Sequence, residues 1–598
     1  VSRQTATKRL RPPPLAATGL VFAFCSLFFA AVRAAVIFNV NSLADTHAAI
    51  PASGTGLDNT SHITLRSALE ASDATNLHGV TIVLPAGEID LSLGQLAFGN
   101  VLDTNITIIG ATNLAGAPAS TIKQTDHVNR IADLDSKVVG NVHVALQNIV
   151  LTGGFPTNGG VSDAAFGGGA ILGGGTNDSL AAINCIFATN AADVLDSGGA
   201  ISWSGGGNLS LQNCAFIGNT ASMESGGAIS FANGLGFPGN LTVTGCTFLH
   251  NKSTQGSANS NPVPGSGGAL FASLDPISAS SGAITGCWFD SNQAESADAA
   301  DPGQGGAINS QSSAVTISQC TFTNNSAQLP LPSGGGSGQG GAIYNSATTL
   351  TVTYCRFVSN AASRGLVFFQ GGPSTNSVPF GSATFNYDWW SSNSGPGPIV
   401  TLPASGGLLA RSGSDESAPA VGPLLQLELT ASPADVATGS NTLIIADFLT
   451  DSVGNPVSPA NLGALAGVPI LFSGPAKGIL SNVQQFIQTP GTATATFTGI
   501  STGTGGVTAT VDASTLVTPV FIGPPFGQLL ATRSNTMVQL TYTGIAGQNY
   551  VLQSASKAPG PYGNLSPTLP ADSSGLVQFS DPLGSPSAAR FYRAKSVP

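Results

Sequence analysis

Charge is what this sequence has least of. Asp, Glu, Lys and Arg make up 8% of its 598 residues, against about 25% in ordinary soluble domains. A charge-rich helical protein is excluded. Bases are scarcest: five of the 19 Lys and Arg lie in the first 34 residues, so the rest of the chain sets 14 basic residues against 30 acidic ones, a formal charge of −16. Nucleic acid and anionic membrane surfaces are therefore poor partners. Between Cys185 and Cys355 the only Lys or Arg is Lys252. Beyond residue 34 no apolar run is long enough to span a bilayer.

What is abundant is glycine, 76 residues, within a chain that is 42% hydrophobic. Turns must be frequent, and the length implies two to four domains. The first residues carry Lys8, Arg9 and Arg11, then an apolar run from Leu15 to Val32 ending in Val32-Arg33-Ala34. That is the three-part pattern of a secretory signal cleaved after Ala34, with a retained membrane anchor as the weaker reading. Cys25 follows Phe24 rather than a small residue, which argues against lipid attachment.

The other six cysteines, Cys185, Cys214, Cys246, Cys287, Cys320 and Cys355, share one register. Each is followed two residues later by Phe and five residues later by Asn, from Phe187 and Asn190 to Phe357 and Asn360. Each is preceded by Gly-Gly-Ala, beginning at Gly168, Gly198, Gly226, Gly267, Gly305 and Gly340. Successive cysteines are 29, 32, 41, 33 and 35 residues apart. A period near 30 with variable spacers is a solenoid. Alternation such as Leu241-Thr242-Val243-Thr244 is a strand signal, so the expected fold is all-β: a parallel β-helix whose coils stack at about 4.8 Å. Cys and Phe would then form inward ladders, and Asn would close a turn by bonding backbone groups left unpaired at the bend. Stacked parallel side chains do not readily meet disulfide geometry, so the cysteines read as buried core residues rather than bridges or metal ligands.

The paired GGAI and FxxN tetrapeptides resemble those of the chlamydial polymorphic outer membrane proteins. Those proteins end in a membrane β-barrel, but nothing near this C-terminus shows barrel strands. Thr64-Leu65-Arg66-Ser67-Ala68-Leu69-Glu70, an N-capped helix followed by Val80 to Pro85, resembles the CSLREA segment that opens many exported right-handed β-helices, with Ile63 at its cysteine position. Asn386-Tyr387-Asp388-Trp389-Trp390 is similar to the element that closes them. Its tryptophans are either a hydrophobic plug or a sugar-stacking platform. The expected domains are a signal at 1–34, the β-helix at 35–405, a β-sandwich at 424–523 resembling the Ig-like repeats of invasin-type proteins, and a small β-module at 524–598.

Hydrolases of the pectate-lyase-like fold carry Asp-Asp, Gly-His-Gly and Arg-x-Lys motifs, none of which occurs in the repeats, and lyases need a base beside bound Ca²⁺. One carboxylate pair remains. Asp196 and Glu224 each precede a Gly-Gly by two residues, so stacking would set them about 5 Å apart, as in a retaining glycosidase; Asp193 is near. The bland reading is two solvated turn residues. A second cluster, Asp126, His127, Arg130, Asp133 and Asp135, reads as a polar loop. The expectation is an exported surface or extracellular adhesin or structural protein, with a glycan or cell surface as partner and neither cofactor nor metal. The alternative is a polysaccharide hydrolase or lyase.

Overall fold

The computed structural model describes residues 36–597 except 76–78, 99–104, 135–140, 158–166, 194–196, 223–224, 234–235, 256–264, 276–279, 297–301, 312–313, 329–337, 347–348, 372–380, 402–406, 413–417, 535 and 583–588. The signal segment and Cys25 lie outside the described residues.

From Ile37 to Val421 the chain winds into four stacks of parallel strands, of 12, 11, 9 and 6 members. Each of the six repeats bends at a single left-handed residue on either side of its phenylalanine strand. One precedes the cysteine position, as at Asn184, Asn213 and Gln319, with φ of 51°, 53° and 53°. The other precedes the asparagine, as at Thr189, His250 and Asn324, with φ of 51°, 54° and 55°. Bends of this kind pull backbone groups out of the sheet ladder, and buried groups must find other partners.

The asparagines supply those partners. Asn190, Asn219, Asn251, Asn292, Asn325 and Asn360 are buried. The Oδ1 of Asn251 accepts both the backbone N–H of Asn219 at 3.0 Å and its Nδ2–H at 2.9 Å, while the Nδ2 of Asn251 donates back to the Phe216 carbonyl at 2.9 Å. The same pattern joins every neighbour from Asn190 to Asn360. Register fixed at this corner aligns the adjacent strand, so Phe187, Phe216, Phe248, Phe289, Phe322 and Phe357 stack face to face at 4.6–5.1 Å. Each buried ring contributes about 1.5–3 kcal/mol.

The cysteines are free and buried at the corner before this stack. The Cys214 N–H donates to Cys246 Sγ at 3.3 Å, and each thiol donates to the carbonyl two residues earlier. Burial pushes the Cys287 and Cys320 thiols up, which keeps them protonated and unreactive. In each Gly-Gly pair of the six repeats the first glycine has φ between 63° and 75°. The second lies under the next coil: a Cβ on Gly227 would stand 2.0 Å from the Gly268 carbonyl.

At the N-terminal end, helix Leu65–Ala74 starts in a capping box between Thr64 and Ser67. Its buried Arg66 grips Asp45 at 2.6 and 3.2 Å and the carbonyls of Gly94 and Gln95, so the helix is held over the opening of the solenoid. At the other end the parallel sheets run past residue 405, since Leu409–Arg411 pairs with Phe368–Gly371 and Ala420–Val421 with Ser382–Asn386. The segment 142–151 forms two strands, His143–Gln147 and Ile149–Thr152, because Asn148 (φ 57°) bends between them. Two four-stranded, mainly antiparallel sheets follow, between Leu425 and Gly523, and a three-stranded and a four-stranded antiparallel sheet run from Leu529 to Val597.

The asparagine corner makes a quantitative demand. Replacing Asn251 by Ala strands the Asn219 N–H and the Phe216 carbonyl inside the solenoid, at about 1–3 kcal/mol for each unsatisfied group. Urea unfolding followed by circular dichroism should show N251A with a clearly lower midpoint, whereas Ala at exposed Asn208 changes stability by no more than about 0.5 kcal/mol.

Candidate functional site

The carboxylates singled out by register, Asp196 and Glu224, lie outside the described residues, as does Asp135. Asp193 is half-buried at the end of a short strand. The rest of the acidic loop is tied into the fold. Asp126 accepts the N–H groups of Val128 and Asn129, Arg130 pairs with Asp133 at 3.7 Å, and Gln95 donates to the same Asp133 carboxylate at 3.1 Å. Lys252, the one Lys or Arg between Cys185 and Cys355, is paired with Glu295 on the next coil at 2.9 Å, and His250 stands exposed two residues before it. Among the described residues no group of three or more His, Cys, Asp or Glu side chains could hold a metal ion, and no helix is long and apolar enough to cross a membrane.

The adjacent tryptophans are no platform. Both are buried, in different cores. Registering Thr353 with Asn386 places Asp388 at the cysteine rung and Trp390 at the phenylalanine rung, where its ring continues the stack 4.9 Å from Phe357. Tyr387 likewise stacks on Tyr354 at 4.9 Å. Thus Tyr-Asp-Trp-Trp is one more turn of the repeat, disguised by three substitutions. Trp389 points outward instead, meets Phe448 of the sandwich edge-on at 4.9 Å, and donates its Nε1–H to Asp512 at 2.7 Å. Asp512 also takes the Arg356 guanidinium at 2.5 and 3.0 Å. This cluster fastens the sandwich to the last coils.

The fastening creates a cleft of about 400 Å³, with Trp288, Gln319, Thr321, Thr323 and Arg356 on the solenoid side and residues 463–469 of the sandwich opposite. Trp288, Thr321 and Arg356 project from one strand position, where they are register partners together with Thr247, while Thr323 lies two residues further along the strand and Gln319 at the bend before Cys320. Trp288 is 45% exposed. Its Nε1–H already donates to Thr323 Oγ1 at 3.0 Å, and Thr323 donates on to Asp290 at 2.6 Å, so the indole is oriented and offers a ligand mainly carbon surface. Thr321 donates to the Ala464 carbonyl across the cleft at 3.2 Å. Sequence reasoning missed this site, although the residue after each cysteine was legible as outward-facing, and a Trp there, where other coils have Ala215, Thr247 and Thr321, was the available signal.

The family described as "Right handed beta helix region" matches residues 167–379. The fold is a right-handed parallel β-helix. No curated protein matches the chain. Among solved structures, the Yersinia pseudotuberculosis adhesin InvE is 20% identical over 28% of this chain and 55% of its own, with a TM-score of 0.14. Domains 5-6 of the S-layer protein SbsC are 18% identical over 27% of this chain and 86% of theirs, at 0.13. The Dettilon tailspike protein is 10% identical over 80% of this chain and 94% of its own, at 0.18. The β-helix chain thus spans about half the length of the InvE structure, and its fold rests on its own strand pairing.

Asp388 gives the site region a pH signature. It is fully buried, its Oδ1 accepts the Cys355 N–H at 2.7 Å, and its Oδ2 has no partner among the described residues. Burial holds this carboxyl well above its ordinary 3.8. The folded state therefore keeps a proton that the unfolded chain gives up, so this group removes stability as pH rises from about 4 toward its folded value. Thermal unfolding of Asp388→Asn between pH 4 and 8 should lose that part of the decline seen in the unsubstituted protein; parallel profiles would contradict the assignment.

Proposed function

We propose that the chain is an exported cell-surface or extracellular β-helix protein that binds without chemical turnover, as an adhesin or structural element. The observation that carries this reading is the outer face of the 12-stranded sheet. Asn208, Ser210 and Gln212 stand exposed beside Asn240, Thr242 and Thr244, and then Ser281 and Ala283, in a register that continues through Thr316 and Thr351. Uncharged hydroxyls and amides repeated at sheet spacing suit a broad, polar, weakly charged partner such as a glycan coat.

The finer parts of the proposal rest on sequence. They are a leader at 1–34 cleaved after Ala34, a polymorphic-outer-membrane-protein type of repeat and a CSLREA-like cap within a β-helix domain that the sequence bounds at 35–405 and whose parallel sheets run on to Val421, an invasin-type Ig-like module at 424–523, and a small module at 524–598. The two antiparallel sheets that enclose Phe448, Phe472 and Phe497 support the sandwich reading. The buried ladder cysteines are proposed as core residues with no redox or metal role.

The test uses the secreted chain on two kinds of assay. Attachment to polysaccharide-coated and cell surfaces should be saturable, while reducing-end and unsaturated-product assays on the same polysaccharides stay at background. Turnover that disappears in Asp196→Asn or Glu224→Gln would replace this reading with the hydrolase or lyase one.

A further inference from the structure

We propose that the cleft between the β-helix and the sandwich is a binding site for a short neutral saccharide, with Trp288 as its stacking platform. This rests on the binding reading above and gives it a place and a ligand class. Three observations converge. First, the other three tryptophans, Trp203, Trp389 and Trp390, are buried, and Trp288 alone is exposed. It is exposed inside the wall of a concavity, and its ring is held by the bond to Thr323. A pyranose ring presents a face of C–H groups that packs on such a surface, and burying apolar area on an already oriented ring avoids most of the ordering cost of binding.

Second, the polar groups around the ring are neutral or already neutralised. Arg356 is taken up by Asp512 through two hydrogen bonds, so among the described residues of the cleft lining no unpaired cation is left to hold a uronate, sulfate or phosphate. The Asp290 carboxylate stands two residues along the strand from Trp288 and is held by Thr323 and Asn324. It stands behind Thr323 rather than in the cleft lining, and its charge opposes an anionic ligand more than a neutral one. Third, Gln319 leans toward the sandwich loop, where a Cβ on Gly463 would lie 2.9 Å from its Oε1. Its amide is a donor and acceptor at the edge of the platform, the pairing that reads vicinal hydroxyls. The cleft volume of about 400 Å³ falls in the range of small-molecule sites and fits a few sugar units.

The experiment uses the full secreted chain and a panel of two- to six-unit oligosaccharides built from glucose, mannose, galactose or N-acetylglucosamine, with oligogalacturonate as the acidic comparison. Acrylamide quenching of tryptophan fluorescence should come mainly from Trp288. At least one neutral oligosaccharide should protect it, with calorimetry giving the affinity. Trp288→Ala should weaken binding about tenfold or more and remove most of the quenching, Gln319→Ala should weaken it severalfold, and Trp288→Phe should keep most of it. Circular dichroism and unfolding midpoints matched to the parent protein establish that the variants are folded. Three results would overturn the site: no neutral member binds, Trp288→Ala binds as the parent does, or oligogalacturonate is preferred. If surface attachment survives in Trp288→Ala, the binding function stands and only this site falls; if the parent attaches to nothing, the broader reading falls.

Discussion

Everything in this molecule depends on how the buried corner of each coil is satisfied. A solenoid of parallel strands must turn out of its sheets at every bend, and there the backbone loses its regular partners. One asparagine amide per coil restores them in both directions, accepting from the coil before through Oδ1 and donating through Nδ2 to a carbonyl on the phenylalanine strand. Because Cys, Phe and Asn keep fixed spacing while the repeat length varies from 29 to 41 residues, the variation falls in the connections and not at the corner. The stacked phenylalanines follow from that alignment. Isolated aromatic pairs prefer offset or edge-on arrangements, yet rings here lie within 11° of parallel. The backbone register imposes the stack.

The solenoid was legible because its constraints act at fixed chain positions. Gly-Gly, Cys, Phe and Asn each answer a local requirement, repeated six times, and the N-capped helix at Leu65–Ala74 obeys purely local rules. The last coil was hidden because a rung tolerates substitution when it meets a boundary. Asp388 replaces cysteine and Trp390 replaces phenylalanine where the stack ends, so the tetrapeptide carries none of the repeat's letters while keeping its geometry. The cleft was less legible still. It is made of outward side chains from three neighbouring coils and a sandwich loop more than 100 residues away in sequence, brought together through Asp512. No periodicity reports a contact of that kind.

The junction also bears on how a ligand would be sensed. Arg356 and Trp389 come from neighbouring coils and converge on one carboxylate of the sandwich, while Trp389 packs in the sandwich core beside Phe448. The two walls of the cleft are thereby held by partly buried charge-assisted hydrogen bonds, stronger than neutral ones. A site with walls fixed in this way is largely preformed.

The central claim is that one register runs unbroken through the six repeats, with cysteine inward on each of them. Alkylation by iodoacetamide, mapped by mass spectrometry on the native and the urea-unfolded protein, tests it at each rung separately. Cys185, Cys214, Cys246, Cys287, Cys320 and Cys355 should all remain unlabelled in the native protein and all label as free thiols once it unfolds. Rapid native labelling of an interior rung such as Cys246 or Cys287, or recovery of any two as a disulfide, would contradict the account.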